Sequence, residues 1–469
     1  MECPGTRNRW SARWRAATRA RKRSMRQAVF SNEARGANPQ IARQKFEQPR
    51  AAKTTPGNQA MTCADASQST VAERNIGMID FDRIYDRHQF GSVKWANQWD
   101  EFSPRVEGED LLSLWTADMD FRAPETVIAR LREAADHGIY GYTRRDPRHY
   151  EIVQSWFARR HGWSPALESL LPAPAIMPSV AATLRTFTKP GDGVIVQSPI
   201  YSPYFEVIQG NGRKLLVNRL RLQDNRYELD LEDFVKLAAG AKAFLLCNPH
   251  NPAGKAWTRG ELTALNDVCE RHGILVISDD IHCDIRLSDR PHIVFSSLSE
   301  DAAQKSFVCT APTKTFNLAG VPSATVSVAN KQRREALLAT MQASFMVNAN
   351  FFGRLALEVA YSTGAPWLDQ LTRYIGGNVD FVLNFAEDRL PGITPMRPDA
   401  SFLVWLDARG LDRKVGGVQR FFVDRAGVNL YDGRVYGPGG EGFIRLNVGC
   451  PRPLLRRGLE RMSRALESL

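Results

Sequence analysis

Short apolar runs alternate with amphipathic segments along the chain after residue 81. Four of these runs have the length of a strand and end close to Pro, Asn or Asp; they occupy residues 193–196, 243–247, 273–278 and 306–311. Residues 261–272, between two of the runs, bring Leu262, Leu265 and Val268 onto one helical face. Strands that alternate with helices predict a mainly parallel sheet, and therefore an α/β fold.

The flanks of this region predict further elements. Residues 114–121 are expected to form a strand that leads into a loop, and a helix is expected to begin at Pro124. Residues 331–385 predict helices that carry the chain into a second, smaller unit. Two apolar runs near the end of the chain predict strands at residues 400–406 and 442–449.

Three of the predicted strands deliver a polar side chain at their carboxyl ends, namely Asn251, Asp279 and Lys314. This edge of an open α/β sheet is where ligands bind. Burial there lowers the pKa of a lysine and makes its amine a nucleophile and a base, whereas most lysines beside turns are hydrated surface groups. A carboxylate, an amide and an amine together suit pyridoxal phosphate (PLP), which needs a partner for its ring nitrogen, a donor to its phenolic oxygen and an amine.

The motifs around these three residues resemble those of a known family. They are Asn-Pro-His-Asn-Pro-Ala-Gly at residues 248–254, Asp-Asp-Ile-His at 279–282 and Ala-Pro-Thr-Lys-Thr-Phe-Asn-Leu-Ala-Gly at 311–320. From about Phe81 onward the chain is similar to the fold-type-I PLP enzymes of aminotransferase class I/II, and more narrowly to the MalY/PatB-type cystathionine β-lyases. The resemblance implies the PLP-dependent transferase fold of type I, with a large domain around a mainly parallel seven-stranded sheet and a smaller α+β C-terminal domain.

The resemblance also implies how the chain is divided. We expect a basic extension at residues 1–77, an N-terminal arm with part of the small domain at 78–125, the large PLP-binding domain at 126–360 and the small C-terminal domain at 361–469. The arm includes Lys94, for which a surface lysine is the alternative. The loop that contains Asp118 and Asp120 is expected to line the substrate entrance, and a capping or turn role for these two acids stays open.

The resemblance assigns the main roles at the site. Lys314 is the expected catalytic residue and covalent anchor of PLP, Asp279 the partner of the ring nitrogen and Asn251 the donor to the phenolic oxygen. Tyr201 matches the tyrosine that stacks on the ring. Arg445 matches the arginine that binds the substrate α-carboxylate, and a structural ion pair is the alternative for an arginine in an apolar strand.

The phosphate group is expected at the start of a helix. Ser179 precedes an apolar-periodic segment and is therefore the expected N-cap. Free N–H groups and the helix dipole suit a dianionic phosphate. The resemblance assigns the phosphate to the backbone N–H groups of Val180 and Ala181, although any capped helix has the same sequence pattern.

Three further side chains complete the expected cofactor site. His282 stands where the lyase branch has a histidine, and a hydrogen-bonded core histidine is the alternative. Thr313 replaces the serine that is usual beside the lysine. Tyr142 is expected to reach the cofactor phosphate of a partner subunit in a homodimer, with Tyr140 as its competitor.

The resemblance implies a PLP-dependent β-elimination. A C–S lyase of this kind acts on L-cystathionine or related cysteine S-conjugates and releases a thiol, pyruvate and ammonia. An aminotransferase of the same class, acting on an amino acid and a 2-oxo acid, is the alternative, and a regulatory, protein-binding role is a third hypothesis. Asp280 and Thr313 replace the usual glutamate and serine, and Pro322 stands where many aminotransferases have a phosphate-binding arginine.

Composition adds the compartment and the partners. The chain has 469 residues, of which 43% are hydrophobic, and no apolar run approaches the roughly 20 residues of a membrane helix. We therefore expect a soluble enzyme with a small amino-acid substrate and no membrane partner. Seven scattered cysteines without a CxxC pair fit a reducing cytoplasm and predict neither disulfides nor a metal site.

The net charge of +11 is concentrated in the first residues. Residues 1–77 hold 15 Lys and Arg against 5 Asp and Glu, so the rest of the chain is nearly neutral and we expect no nucleic-acid partner. A targeting peptide and a nucleic-acid-binding arm are two interpretations of this segment. The third, which we prefer, is that translation starts at Met61 or Met78, because high charge and low hydrophobicity predict disorder upstream.

Overall fold

The structure is a computed structural model that describes residues 77–95, 110–347 and 350–469. Its helices are α1 (Glu125–His137), α2 (Pro147–His161), α3 (Ile176–Phe187), α4 (Pro203–Gly210), α5 (Leu231–Ala238), α6 (Arg259–His272), α7 (Glu300–Lys305), α8 (Lys331–Ala343), α9 (Phe351–Thr363), α10 (Ala365–Arg389), α11 (Arg409–Val415), α12 (Val418–Ala426) and α13 (Arg452–Glu467). The interpretations of residues 1–76 lie outside the described residues.

The strands are short. They are β1 (Leu112–Ser113), β2 (Leu170–Ala173), β3 (Gly193–Ser198), β4 (Lys214–Arg219), β5 (Arg221–Gln223), β6 (Arg226–Glu228), β7 (Ala241–Cys247), β8 (Leu275–Asp279), β9 (Ser306–Thr310), β10 (Ala324–Ser327), β11 (Thr394–Met396), β12 (Leu403–Asp407), β13 (Val428–Asn429), β14 (Tyr431–Asp432) and β15 (Phe443–Asn447). Within the described ranges, 3-10 helices occur at Leu167–Ser169, Phe295–Ser297 and Gly433–Tyr436.

Seven strands form the central sheet in the order β2-β10-β9-β8-β7-β3-β4. The five strands from β9 to β4 run parallel to their neighbours, and β10 is antiparallel to both β2 and β9. Every residue of β3, β9 and β10 is buried, because helices cover both faces of such a sheet. The predicted α/β fold with a mainly parallel seven-stranded sheet is confirmed.

A second, four-stranded sheet with the order β11-β12-β15-β14 is antiparallel throughout. Trp405 of β12 and Phe443 of β15 stack across it with ring centres 5.2 Å apart. Strand β1 pairs in parallel with β13. Of the strand and the loop predicted at residues 114–121, the strand part is wrong, because β1 ends at Ser113 and residues 114–121 are all loop.

Helix α6 shows how the local sequence aims a strand at the site. Thr258 accepts a hydrogen bond from the Glu261 backbone, and the Glu261 carboxylate accepts one from the Thr258 backbone in return, so the helix begins with a capping box. Gly273, at a φ of 65°, ends it in the left-handed conformation. Strand β8 follows at once and carries Asp279 to the carboxyl edge of the sheet.

Gly254 fixes the turn that follows β7. Its φ is +65°, and a Cβ atom there would lie 2.4 Å from the Pro398 Cβ, so only glycine fits. The Gly254 carbonyl accepts hydrogen bonds from the backbone of Asp399 and Ala400 at 2.9 and 3.0 Å. The turn that contains Asn251 is thereby attached to the segment that enters the four-stranded sheet.

None of the helices in the described ranges is both long enough and apolar enough to cross a membrane.

Candidate active site

One cavity of about 310 Å³ lies at the carboxyl ends of β3, β7 and β8. Its floor comes from the turns that follow these strands, and its wall includes the start of α3 and residues of the four-stranded sheet. Six of the residues expected at the site line it, namely Tyr201, Asn251, Asp279, His282, Lys314 and Arg445. The central sheet and the four-stranded sheet thus bring together residues that are up to 244 positions apart in the sequence, counted from Tyr201 to Arg445.

Lys314 lies in the loop after β9 and reaches into the cavity. Its Nζ atom donates a hydrogen bond of 2.5 Å to the carbonyl of Ala117. Burial lowers the pKa of Lys314 to about 8, with the nearby charge of Asp118 opposing the shift and that of Arg445 adding to it. A minority of the amine, far larger than for an ordinary lysine, is therefore neutral near physiological pH, as a nucleophile or base requires.

Asp279 ends β8 with its carboxylate in the cavity wall. One oxygen, Oδ2, accepts a hydrogen bond of 2.8 Å from the Tyr204 hydroxyl, and the other accepts one of 3.1 Å from the Ile281 backbone N–H. Burial raises the pKa of Asp279 to about 6. A cationic group in the cavity would offset this cost of burial and restore the ionised carboxylate.

Arg445 is a buried cation that faces the cavity from β15. It donates hydrogen bonds to the Asn251 side-chain oxygen at 3.1 Å and to the Trp115 carbonyl at 2.8 Å. Its guanidinium carbon lies 4.8 Å from the ring centre of Tyr431 and 5.3 Å from that of Tyr436. Its Nε atom is buried without a hydrogen-bond partner. Because the partners of Arg445 are an amide oxygen and a carbonyl, the alternative of a structural ion pair is not seen within the described residues.

Tyr201 and His282 occupy the walls beside this charged group. Burial, with a further contribution from Asp279, raises the pKa of Tyr201 to about 12, so its phenol is neutral. Burial first, and then the positive charges of Lys314 and Arg445, lower the pKa of His282 well below its ordinary value. The neutral imidazole of His282 is hydrogen-bonded through Nδ1 to the Ser401 hydroxyl at 3.0 Å.

Comparison with known proteins identifies the family of this arrangement. Residues 110–462 match the family described as aminotransferase class I and II. The chain belongs to that family. Cystathionine beta-lyase PatB of Bacillus subtilis is 40% identical over 390 residues, which cover 83% of this chain and all of PatB. Protein MalY of Escherichia coli is 31% identical over 397 residues, which cover 84% of this chain and all of MalY.

Solved structures agree with this membership. The crystal structure of cystalysin from Treponema denticola, which contains a pyridoxal 5'-phosphate cofactor, has a TM-score of 0.79 and 32% sequence identity; the match covers 83% of this chain and 99% of cystalysin. The predicted membership in the PLP enzymes of aminotransferase class I/II, with MalY/PatB-type β-lyases as the nearer subfamily, is therefore confirmed.

The start of α3 differs from the prediction. The helix begins at Ile176 with Ala175 as N-cap, and Ser179 lies inside the first turn, where its hydroxyl donates to the Ala175 carbonyl at 2.7 Å. The N-cap prediction for Ser179 is wrong, because serine is able to bond back to the preceding turn. Val180 and Ala181 follow in the helix, where backbone N–H groups are already paired with carbonyls of the preceding turn.

The first turn of a helix leaves its backbone N–H groups unpaired. In α3 these free groups belong to Ile176 and Met177, because Pro178 has no N–H. Both residues line the cavity. The free N–H groups therefore lie one turn before Val180 and Ala181, and the phosphate contact at those two residues stays a prediction. Pro178 is compatible with the earlier start, because proline is tolerated in the first turn of a helix, where its missing N–H would have no intrahelical partner.

Two other predicted residues lie away from the lining of the cavity. Thr313 is partly buried beside Lys314 but does not line the cavity. Tyr142 is fully exposed, and Tyr140 is about half exposed with its hydroxyl bonded to the Ala135 carbonyl at 2.6 Å. Within one subunit, Tyr142 is therefore not brought to the cavity, and its role across a dimer stays a prediction.

The loop at residues 117–121 is held by ion pairs with residues 87–94. Arg87 donates to Asp118 at 2.6 Å and to Asp120 at 2.7 Å, and Lys94 pairs with Asp120 at 2.7 Å. The Lys94 side chain is 0% exposed, so the surface alternative for this lysine is wrong. Asp118 and Asp120 are anchors for the arm, a role that sequence reasoning missed because the contacts join distant segments.

Asn317 connects the same loop to the segment that contains Lys314. Its φ of +56° is rare for a residue other than glycine. Its amide donates to the carbonyls of Met119 and Phe121 at 2.9 and 2.8 Å and accepts from the Met119 N–H at 3.0 Å. Asparagine tolerates this conformation, which is the signal that could have identified Asn317 from the sequence.

A buried hydrogen-bond network around Asp284 holds the residue that follows Lys314. Thr315, the next residue, donates to Asp284 at 2.7 Å, and the other Asp284 oxygen is bonded to His161 at 2.8 Å and Trp156 at 3.1 Å. Burial alone would raise the pKa of Asp284, but the hydrogen bonds from His161 and Thr315 and the nearby positive charges together outweigh it, and the pKa is lowered. The ionised Asp284 thus fixes the backbone on one side of the lysine.

Proposed function

We propose that the protein is a PLP-dependent C–S β-lyase that acts on L-cystathionine or related cysteine S-conjugates and releases a thiol, pyruvate and ammonia. One observation carries the proposal: Lys314, Asp279, Asn251 and Arg445 surround a single cavity of about 310 Å³. Family membership and the similarity to a cystathionine beta-lyase over its whole length support the reaction type.

The residues of the cavity fit PLP. The pyridine nitrogen needs an anionic partner, and Asp279 is a buried carboxylate with no cation bonded to it among the described residues. Asn251 uses its oxygen for Arg445, so its NH2 group is available to the phenolic oxygen. We assign the phosphate to the free N–H groups of Ile176 and Met177, at the positive end of the α3 dipole.

We assign three further side chains to the cofactor site. Tyr201 lines the cavity with a neutral aromatic ring, which suits stacking on the flat cofactor. His282 is a neutral, hydrogen-bonded wall residue close enough to Lys314 to feel its charge. Thr313 precedes Lys314 and lies outside the lining of the cavity, and we assign its hydroxyl to the phosphate side of the cofactor.

Arg445 binds and orients the substrate. A guanidinium binds a carboxylate through two parallel hydrogen bonds, and the unpartnered Nε of Arg445 is one donor that remains available for this purpose. The α-carboxylate held there fixes the direction in which the Cα–H bond points. Arg445 therefore selects both for α-amino acids and for the reacting geometry.

Lys314 moves the proton. PLP, when bound, supplies an electron sink that lets the substrate Cα–H bond ionise. The pKa of Lys314 near 8 suits an amine that takes up and releases a proton close to neutral pH. As the Cα proton passes to Nζ, the electrons of the Cα–H bond form a Cα=Cβ double bond, the Cβ–S bond breaks and the sulfur leaves with the electron pair of that bond as a thiolate. Addition of water to the remaining three-carbon fragment then gives pyruvate and ammonia.

We further propose a homodimer in the cytoplasm. Several large apolar side chains of the arm and nearby loops are exposed in the single subunit, namely Phe90, Val93, Ile139 and Tyr142, and a second copy would cover such a surface. Tyr142 is the residue that we assign to the partner's phosphate site. Mixed dimers of Lys314→Ala and Tyr142→Ala subunits contain one intact site, so mixing two impaired variants is expected to restore activity.

The reaction is tested with L-cystathionine and PLP-loaded protein in the absence of any 2-oxo acid. We expect pyruvate and homocysteine in equal amounts, no turnover by Lys314→Ala, and normal turnover by the surface control Lys331→Ala. Turnover that begins only after a 2-oxo acid is added would instead identify an aminotransferase. Reduction with borohydride and peptide mass spectrometry is expected to find the cofactor mass on Lys314; its presence on another lysine contradicts the assignment.

A further inference from the structure

We propose that Tyr204 is a positioning residue for the cofactor, because its hydroxyl holds the Asp279 carboxylate in the orientation that meets the pyridine nitrogen. The proposal rests on the function proposed above. Its basis is the hydrogen bond of 2.8 Å from the Tyr204 hydroxyl to Asp279 Oδ2, between two side chains that are both buried.

Helix α4 delivers this hydroxyl from the turn that also supplies the stacking tyrosine. Tyr201 lies just before the helix and Tyr204 in its first turn, with ring centres 5.8 Å apart in a T-shaped arrangement. Tyr201 lines the cavity, whereas Tyr204 is 0% exposed and lies behind it. One turn of the chain therefore presents an aromatic face to the flat cofactor and a donor to the carboxylate at its edge.

The two oxygens of Asp279 are held by different elements. The Ile281 N–H holds Oδ1 from the turn after β8, and the Tyr204 hydroxyl holds Oδ2 from α4. A carboxylate with one donor on each oxygen does not rotate freely about its χ2 angle. The same donors favour the ionised form, which is the form that stabilises a protonated pyridine ring.

A purely structural role for Tyr204 makes a different prediction. A buried phenol needs a hydrogen-bond partner in any case, and Tyr204 packs in a core cluster with Ile200 and Ile208. If packing were its whole function, loss of the hydroxyl would lower the stability of the fold and leave the cofactor's affinity and spectrum unchanged. The positioning role predicts changes in both cofactor properties.

The test compares Tyr204→Phe with Tyr361→Phe, in the full-length PLP-loaded protein. Tyr361 is the matched control, because it is equally buried and its hydroxyl has no hydrogen-bond partner within the described residues. Each variant loses one oxygen and keeps its ring, so both are expected to fold. The readouts are the dissociation constant for PLP and the pH dependence of the bound cofactor's absorbance, followed by kcat and KM for L-cystathionine.

For Tyr204→Phe we expect the PLP dissociation constant to rise roughly tenfold, since hydrogen bonds to charged groups have this magnitude. We also expect the midpoint of the absorbance titration to shift and kcat to fall more than KM changes. Tyr361→Phe should match the wild type. Unchanged affinity and spectrum in Tyr204→Phe would overturn the positioning role alone, whereas a wild-type protein that takes up no PLP would overturn it together with the proposed function.

Discussion

Arg445 carries a buried positive charge that no carboxylate within the described residues neutralises, since its partners are the Asn251 oxygen and the Trp115 carbonyl. Such a charge costs free energy in the folded protein. A bound carboxylate would offset that cost, so the substrate is expected to be held mainly by this contact. The geometry of the guanidinium matters as much as its charge, because only arginine makes two parallel hydrogen bonds.

Arg445→Lys is therefore expected to reduce kcat/KM for L-cystathionine about 100-fold, because lysine keeps the charge and loses the paired hydrogen bonds. Steady-state kinetics on the PLP-loaded variant measure the effect. Arg434→Lys is the control, because Arg434 is a surface residue whose partner is Asp432. Equal losses in the two variants would argue against a substrate role for Arg445.

The amine of Lys314 should also have a distinct pH dependence. Burial lowers its pKa from 10.5 to about 8. The neutral amine therefore becomes the main form as the pH rises through 8, whereas an ordinary lysine reaches this point more than two pH units higher. In the cofactor-free protein, acetylation of Lys314 by a low dose of acetic anhydride is expected to rise up to about pH 8 and then level off.

Quantitative peptide mass spectrometry between pH 6.5 and 10 measures this profile. The exposed Lys331 serves as the internal comparison and should continue to gain label over the whole range. A Lys314 profile that follows the one of Lys331 would mean that burial does not activate this amine.

At the scale of elements, ion pairs and hydrogen bonds connect residues 87–95 to the loop at residues 117–121, and this loop contacts Lys314. Lys94 is fully buried against Asp120, and the same carboxylate accepts from Arg87 and from the Trp95 indole N–H at 2.8 Å. A buried pair of this kind is expensive to break, because the remaining charge has no solvent around it.

Asp120→Asn is expected to lower the free energy of unfolding by about 3 kcal/mol, since it leaves Lys94 buried without its counter-ion. Denaturant titration of the wild type and the variant gives the difference. Glu232→Gln removes an exposed pair with Lys236 and should cost less than about 0.5 kcal/mol. A loss as small as that in Asp120→Asn would mean that the arm is not attached through this pair.

Elements with a strong local pattern were predictable. Helix α6 and strand β8 occur close to the predicted positions because apolar spacing, a capping residue and a closing glycine agree there. The start of α3 was not, because Ser179 has the sequence of an N-cap but bonds back to Ala175 from within the helix. Cap residues therefore identify a helix start only to within about one turn.

At the scale of the whole molecule, the residues at the strand ends were predictable and their supports were not. Asn251, Asp279 and Lys314 follow from the rule that ligands bind at the carboxyl edge of a parallel sheet. Tyr204 and Asp284 act through hydrogen bonds to residues more than 30 positions away. Such contacts depend on how helices pack on the sheet, which the local pattern of a single sequence does not encode.

The pH dependence of stability is also a property of the whole fold. Burial raises the pKa of Asp279 from 3.8 to about 6, so the folded cofactor-free protein binds a proton more tightly than the unfolded chain. This stabilisation is present in full at low pH and is lost as the pH rises through 6. Between pH 5 and pH 8 the loss from this one group is about 1.5 kcal/mol.

Asp279→Asn removes this contribution, so the cofactor-free variant is expected to lose about 1.5 kcal/mol less stability than the wild type between pH 5 and pH 8. Unfolding curves at the two pH values give the comparison, and groups other than Asp279 cancel because both proteins contain them. Identical pH dependence in the two proteins would mean that Asp279 is ionised in the folded cofactor-free state at both pH values.

The contact between the Lys314 amine and the Ala117 carbonyl links occupancy of the cavity to residues 87–94. The Ala117 carbonyl belongs to the loop that also contains Asp118 and Asp120. These two carboxylates form ion pairs with Arg87 and Lys94, respectively. Once a ligand draws the amine away, the loop loses one of its tethers. The rate of protease cleavage around residue 90 should therefore increase when the cavity is filled. A protein cleaved there should keep its central sheet, and its ligand should dissociate faster.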